Sequence, residues 1–122
     1  MNFSVFIPGN VPSSKNSNIW TGKFLVKSKT TSRYIRQTKE HWGNQKTAQM
    51  FKSATNEKRP AVVTFLFIRG SKHKFDYINA AQIVQDLMVK NNWIEDDNSE
   101  LLLPVFEPFK YDKKNPGVVI SV

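Results

Sequence analysis

The stretch Ala61-Val62-Val63-Thr64-Phe65-Leu66-Phe67-Ile68-Arg69 constrains this chain more than any other. It is the most apolar segment, and its length and β-branched and aromatic content predict a strand in the middle of a sheet. Pro60 precedes it and Gly70 ends it. The rest of the chain supplies partners for such a strand. Asn2–Ile7 predicts a first strand, with Phe3, Val5 and Ile7 alternating against Asn2, Ser4 and Phe6. Gly22–Val26 suits a short edge strand or hairpin arm. A helix is expected from Thr30 or Thr31 to about Thr55, with Ser28, Thr30 and Thr31 as candidate N-caps. Gly43 and the Thr and Asn around it weaken that helix and allow a bend. A second helix is expected from Ile78 or Asn79, with Asp76 just ahead of it. Ala80, Ile83, Val84, Leu87 and Met88 fall on one face, and Asn91-Asn92 stops it. Leu101–Phe106 and Val118–Val122 predict closing strands, with Pro104 pushing the former toward an edge or a bulge. The order predicts an α+β (mixed α/β) domain, one small sheet with two main helices packed on it.

Length and composition agree with one domain over residues 1–122. The 122 residues are 39% hydrophobic and 12% aromatic, enough to bury a core. No run approaches the roughly 18 apolar residues of a membrane span. The opening residues lack a basic leader and a long apolar stretch, so no signal peptide is expected. The absence of Cys excludes disulfides, thiolate chemistry and Cys-ligated zinc. A soluble, cytoplasmic protein is the expectation.

Charge is unevenly placed. Residues 1–75 carry 14 Lys and Arg against Glu40 and Glu57, a balance of +12. Residues 76–122 carry four Lys against eight acids, a balance of −4. A polyanion partner is suggested for the first part and a concentrated acidic site for the second. Lys23, Lys27, Lys29, Arg33, Arg36, Lys39, Lys72 and Lys74 are candidate phosphate contacts; any one alone reads as a solvated charge, and several together make a footprint. Trp20 and Tyr34 are candidate stacking rings or simply packed side chains. His41 and His73 are too isolated to be metal ligands. The segment Gly9–Lys15 lacks a Gly before the Lys, and Pro12 within it and Pro8 just ahead of it supply no amide donors, so it is no phosphate loop.

The acids cluster around the second helix. Asp76 stands before it, Asp86 within it, and Asp97 in the run Glu95-Asp96-Asp97 after it. If the chain doubles back after the helix, Asp97 approaches Asp76. Two carboxylates so joined beside a basic surface suit a Mg²⁺ that activates water for phosphodiester hydrolysis. The plainer alternative makes Asp76 a helix cap and Glu95–Asn98 a polar turn.

Most of the chain resembles the RusA family of Holliday-junction resolvases. Phe6-Ile7-Pro8-Gly9 and Pro12-Ser13-Ser14-Lys15-Asn16-Ser17 look like that family's opening strand and lysine-bearing loop. Asp76, Asn79, Asp86, the pair Trp93-Ile94 and then Asp96-Asp97 match its Asp-x-Asp-Asn, helix and Asp-Asp pattern without a gap. The resemblance implies a RusA-like fold and a homodimer whose two-fold suits a four-way junction. It implies Mg²⁺ or Mn²⁺ and a phage-related role in DNA recombination and repair. Asp76, Asp97 and Asp96 would be catalytic, with Asp76, Asp97 and Asp86 as metal ligands. Lys15 and Asn16 would join the basic residues on DNA. Two positions depart from the pattern. Ile78 stands where the family has its second Asp, and Gln82 where it has its catalytic Lys. Ile78 cannot ligate a cation, and Gln82 has no charge to meet a phosphate. The expectation is thus a metal-dependent endodeoxyribonuclease or, alternatively, a RusA-like protein that binds branched or duplex DNA without cutting. A third possibility is a protein partner held by the acidic loop.

Overall fold

The computed structural model describes residues 2–13, 18–20, 25–56 and 58–122, with 18–20 and 25–27 described as backbone. The expected α+β architecture is present. A sheet is built from β1 (Ser4–Pro8), β4 (Ala61–Arg69), β5 (Leu102–Phe106), β6 (Lys110–Tyr111) and β7 (Gly117–Ser121). A separate hairpin pairs β2 (Asn18–Trp20) with β3 (Leu25–Lys27). Three helices complete the described chain: α1 (Lys29–Trp42), α2 (Gln45–Thr55) and α3 (Tyr77–Lys90).

β4 is central, as its composition predicts. β7 lies antiparallel between β1 and β4, while β5 and β6 pair parallel with successive parts of β4 on its other side. Two parallel neighbours need a crossover, and α3 provides it between β4 and β5. Pro104 sits in β5, at the sheet edge, where a missing amide donor is tolerated. Gly9 ends β1 with φ 116°, and its N–H donates to Pro116 O at 2.9 Å.

The single long helix expected to Thr55 is two helices. Gly43 N–H donates to Lys39 O and closes α1, and Asn44 Oδ1 accepts from Thr47 N at 3.1 Å and opens α2. A side chain that binds backbone locally competes with helix continuation, which is why the break falls here. Ser28 caps α1, accepting from Thr31 N at 3.2 Å. Thr31, Tyr34, Thr38 and Trp42 form the buried stripe of α1. Thr38 Oγ1 donates to Tyr34 O and accepts from Trp42 Nε1, so its hydroxyl is satisfied in the core. α3 buries Ala80, Ile83, Val84, Leu87 and Met88, the face read from its spacing.

One sheet face is covered. Ile7, Val118, Ile120 and Val63, Phe65 and Phe67 of β4 lie under the helices. Trp42, Phe51 and Trp93 close one end of this core, with ring centroids 5.5–5.6 Å apart. Trp93 Nε1 donates to Trp42 O at 2.9 Å. No helix among the described residues is long and apolar enough to cross a membrane.

Two substitutions test this packing. Phe67→Ala should cost about 3–5 kcal/mol, because a fully buried ring is lost. Gly117→Ala should cost about 1–3 kcal/mol, since its Cβ would lie 2.4 Å from the Phe6 ring and 2.6 Å from Ile7 O. Urea-unfolding midpoints read both, and an unchanged midpoint for either would contradict the packing.

Candidate nucleic-acid interface and carboxylate positions

Strand β4, the start of α3 and the loop after β1 meet at one end of the sheet. Gly70 N–H donates to Asn10 Oδ1 at 2.9 Å, and Asn79 Nδ2 donates to Ser13 O at 3.2 Å. Arg69, 5% exposed, donates through Nη1 to Val11 O and lies 4.5 Å from the Phe75 ring centroid. Burial lowers the pKa of its guanidinium. Asp76 belongs to this end. Its Oδ1 accepts from Ile78 N at 2.9 Å and from Asn79 N at 3.4 Å, which makes it the N-cap of α3. Ile78, two residues on, is 67% exposed.

The other acids lie elsewhere. Asp96 Oδ1 accepts from Asp97 N and its Oδ2 from Asn98 Nδ2, both at 2.9 Å. Asn98 Oδ1 then accepts from Glu100 N at 3.0 Å. These bonds form a self-contained polar turn. The Asn98 amide, then the Asp97 N–H, hold the Asp96 carboxyl below its ordinary value. Glu95 is also lowered, by a backbone N–H at its own residue and by Arg59, whose guanidinium lies 3.0 Å away. Asp86 is on the exposed side of α3 and accepts from Gln82 Nε2 at 3.2 Å.

Topology separates these groups. Asp76 precedes α3 beside the end of β4. Asp96 and Asp97 follow α3, next to the start of β4, where Ala61 N–H donates to Leu101 O at 2.8 Å. The 14 residues of α3 span roughly 20 Å between the two ends. The doubling-back expected to join Asp97 to Asp76 happens only after Asp97, along β5. What it returns to the start of α3 is Phe109, whose N–H donates to Tyr77 Oη at 2.9 Å. Among the described residues of one chain, no three His, Asp or Glu gather to hold a cation.

The basic residues divide by position. Lys29, Arg33 and Arg36 are exposed along one stripe of α1, roughly opposite its buried stripe. None of the three is in an ion pair among the described residues. Lys72 and Lys74 are exposed in the loop after β4. Lys15, Asn16 and Lys23 lie outside the described residues, as do the side chains of Lys27 and Trp20. Tyr34 is a core residue at 4% exposure, its hydroxyl pKa raised by burial. Residue-by-residue reading missed Arg69. The signal was present, because Arg69 falls in phase with Val63, Phe65 and Phe67.

Asp76→Ala should cost about 1 kcal/mol through the lost cap, and Asp76→Asn much less. The depressed Glu95 and Asp96 contribute stability that is present above the ordinary carboxylate range and lost as pH falls through their folded values. Thermal midpoints between about pH 2 and pH 7 should therefore drop on the acid side. Asp96→Asn should flatten part of that drop; an unaltered profile would contradict the turn's contribution.

In comparison with known proteins, no protein-family model and no curated protein matches this chain.

Proposed function

We propose that this chain is a RusA-like protein that binds the phosphate backbone of DNA, branched or duplex, through its exposed cations. The observation that carries the reading is the stripe of Lys29, Arg33 and Arg36 on α1, facing solvent without acidic partners among the described residues. Guanidinium and ammonium groups so placed neutralise phosphates and release counterions. The balance of +12 over residues 1–75 supplies a field in the same sense. The sequence resemblance favours a homodimer on a four-way junction, in recombination or repair in the cytoplasm of a bacterial or phage-infected cell.

The second reading is a Mg²⁺- or Mn²⁺-dependent endodeoxyribonuclease. The gapless match of Asp76, Asn79, Asp86, Asp96 and Asp97 to the family pattern favours it. The helix α3 between Asp76 and Asp97 weighs against a shared cation within one chain, so this reading requires carboxylates from two copies. Ile78 and Gln82 weigh against it further. Ile78 offers no oxygen, and Gln82 is engaged with Asp86.

A labelled four-way junction separates the two. Binding that persists in EDTA, without cutting in Mg²⁺ or Mn²⁺, is the expected result. Symmetric metal-dependent cuts by the wild type, lost in Asp76→Asn and Asp97→Asn, would establish the nuclease instead. If Ile78→Asp/Gln82→Lys alone cuts, the scaffold lost its chemistry at those two positions. Arg33→Ala/Arg36→Ala should lower the slope of log K against log salt by about 2, at roughly 0.9 per phosphate contact. An unchanged slope would remove α1 from the interface.

A further inference from the structure

We infer that the cleft between the loop after β4 and strand β6 binds an unpaired nucleotide of a DNA strand, its base on Phe109 and Tyr111 and its phosphate against Lys72 and Lys74. The inference rests on the DNA-binding reading above and adds a site and a strand form to it. The cleft has a volume of about 290 Å³ and is lined by Lys72, His73, Lys74, Phe75, Phe109 and Tyr111. One wall is basic and the other aromatic.

The aromatic wall is open where neighbouring rings are closed. Phe67 of the same aromatic group is wholly buried, yet Phe109 is 51% exposed and Tyr111 46%. The exposed rings do not need to collapse on the core to be ordered. Phe109 lies 5.4 Å from Phe75, and its N–H is held by the Tyr77 hydroxyl at 2.9 Å. Tyr111 is paired with Arg69 in the sheet, and the next amide, Asp112 N–H, donates to Arg69 O at 2.9 Å. The backbone that carries both rings is therefore held before any ligand arrives, which lowers the ordering cost of binding. Lys72 Nζ lies over the Tyr111 ring, 5.2 Å from its centroid, so a cation already rests on one face of that ring and a base takes its place there or stacks on the other face.

The chemistry of the two walls selects the ligand. A duplex presents phosphates but hides its base faces within the stack. It would use Lys72 and Lys74 and leave both rings idle. An unpaired nucleotide presents a planar π face and an anion one sugar apart, and so engages both walls. Base-on-ring stacking of this kind tolerates any base. A site for one unpaired nucleotide suits the strand exchange point of a branched DNA.

Two DNAs with equal phosphate number test the site: a blunt duplex, and a duplex carrying a short single-stranded flap with 2-aminopurine in it. Anisotropy gives affinity, and 2-aminopurine quenching reports stacking directly. The wild type should bind the flap more tightly and quench its fluorescence. Phe109→Ala and Tyr111→Ala should each weaken flap binding about ten-fold and restore fluorescence, with blunt-duplex affinity unchanged. Tyr111→Phe, which keeps the ring, should retain flap binding. Equal affinity for flap and blunt duplex in the wild type would overturn the inference and leave the DNA-binding reading standing. Equal losses on both DNAs in the alanine variants would overturn it too. Failure of the wild type to bind either DNA would sink both readings. Displacement of the flap by an acidic peptide at lower concentration than by single-stranded DNA would overturn it in favour of a protein partner.

Discussion

Strand alternation in β4 imposes the constraint on which the structure turns. Ala61, Val63, Phe65 and Phe67 point into the core, and the period of two sends Arg69 to the same face. A guanidinium cannot remain in that environment without acceptors for its N–H groups. It is held by Val11 O and by the face of Phe75. Its Nε has no hydrogen-bond partner, so the accommodation is incomplete. Through these contacts one buried cation draws the loop after β1 and the approach to α3 toward the end of β4. The bonds from Gly70 to Asn10 and from Asn79 to Ser13 complete the junction.

That junction sets what the two ends of the sheet can do. The end near Arg69 gathers Asp76, Asn79, Lys72, Lys74 and the returning Phe109 and Tyr111. The opposite end holds the polar turn of Asp96–Glu100 and the exposed pair of Arg59 and Glu95. A parallel β–α–β crossover always places the residues before its helix and those after it at opposite ends. The acids around α3 are separated for this reason, whatever their spacing along the chain. The exposed pair contributes little to stability, as solvent screens it. The turn's own hydrogen bonds order it instead.

Several features are legible in the sequence alone. β4 was readable from nine consecutive residues, because few other environments accept Val63, Phe65 and Phe67 together. Ser28, one of three candidate caps for α1, and Asp76, the alternative cap for α3, were readable because a short oxygen-bearing side chain at a helix start meets bare amides. The core face of α3 followed from its 3.6-residue period. The helix break at Gly43 was readable only as a weakness, since propensity alone does not show whether a helix bends or stops. β6 was not readable: two residues, Lys110 and Tyr111, carry no period and pair only because β4 extends past β5.

What the amino-acid order determined by itself is local: element type, caps, the buried stripes, and the uneven distribution of charge. These depend on side-chain period and on backbone groups a few residues apart. What the tertiary structure alone decided is which distant groups meet. Arg69 finds Val11, Tyr77 finds Phe109, and Asp76 is kept from Asp97 by the length of α3. Spacing counts residues along the chain. The parallel pairing of β4 and β5 decides at which end of the sheet each of them arrives.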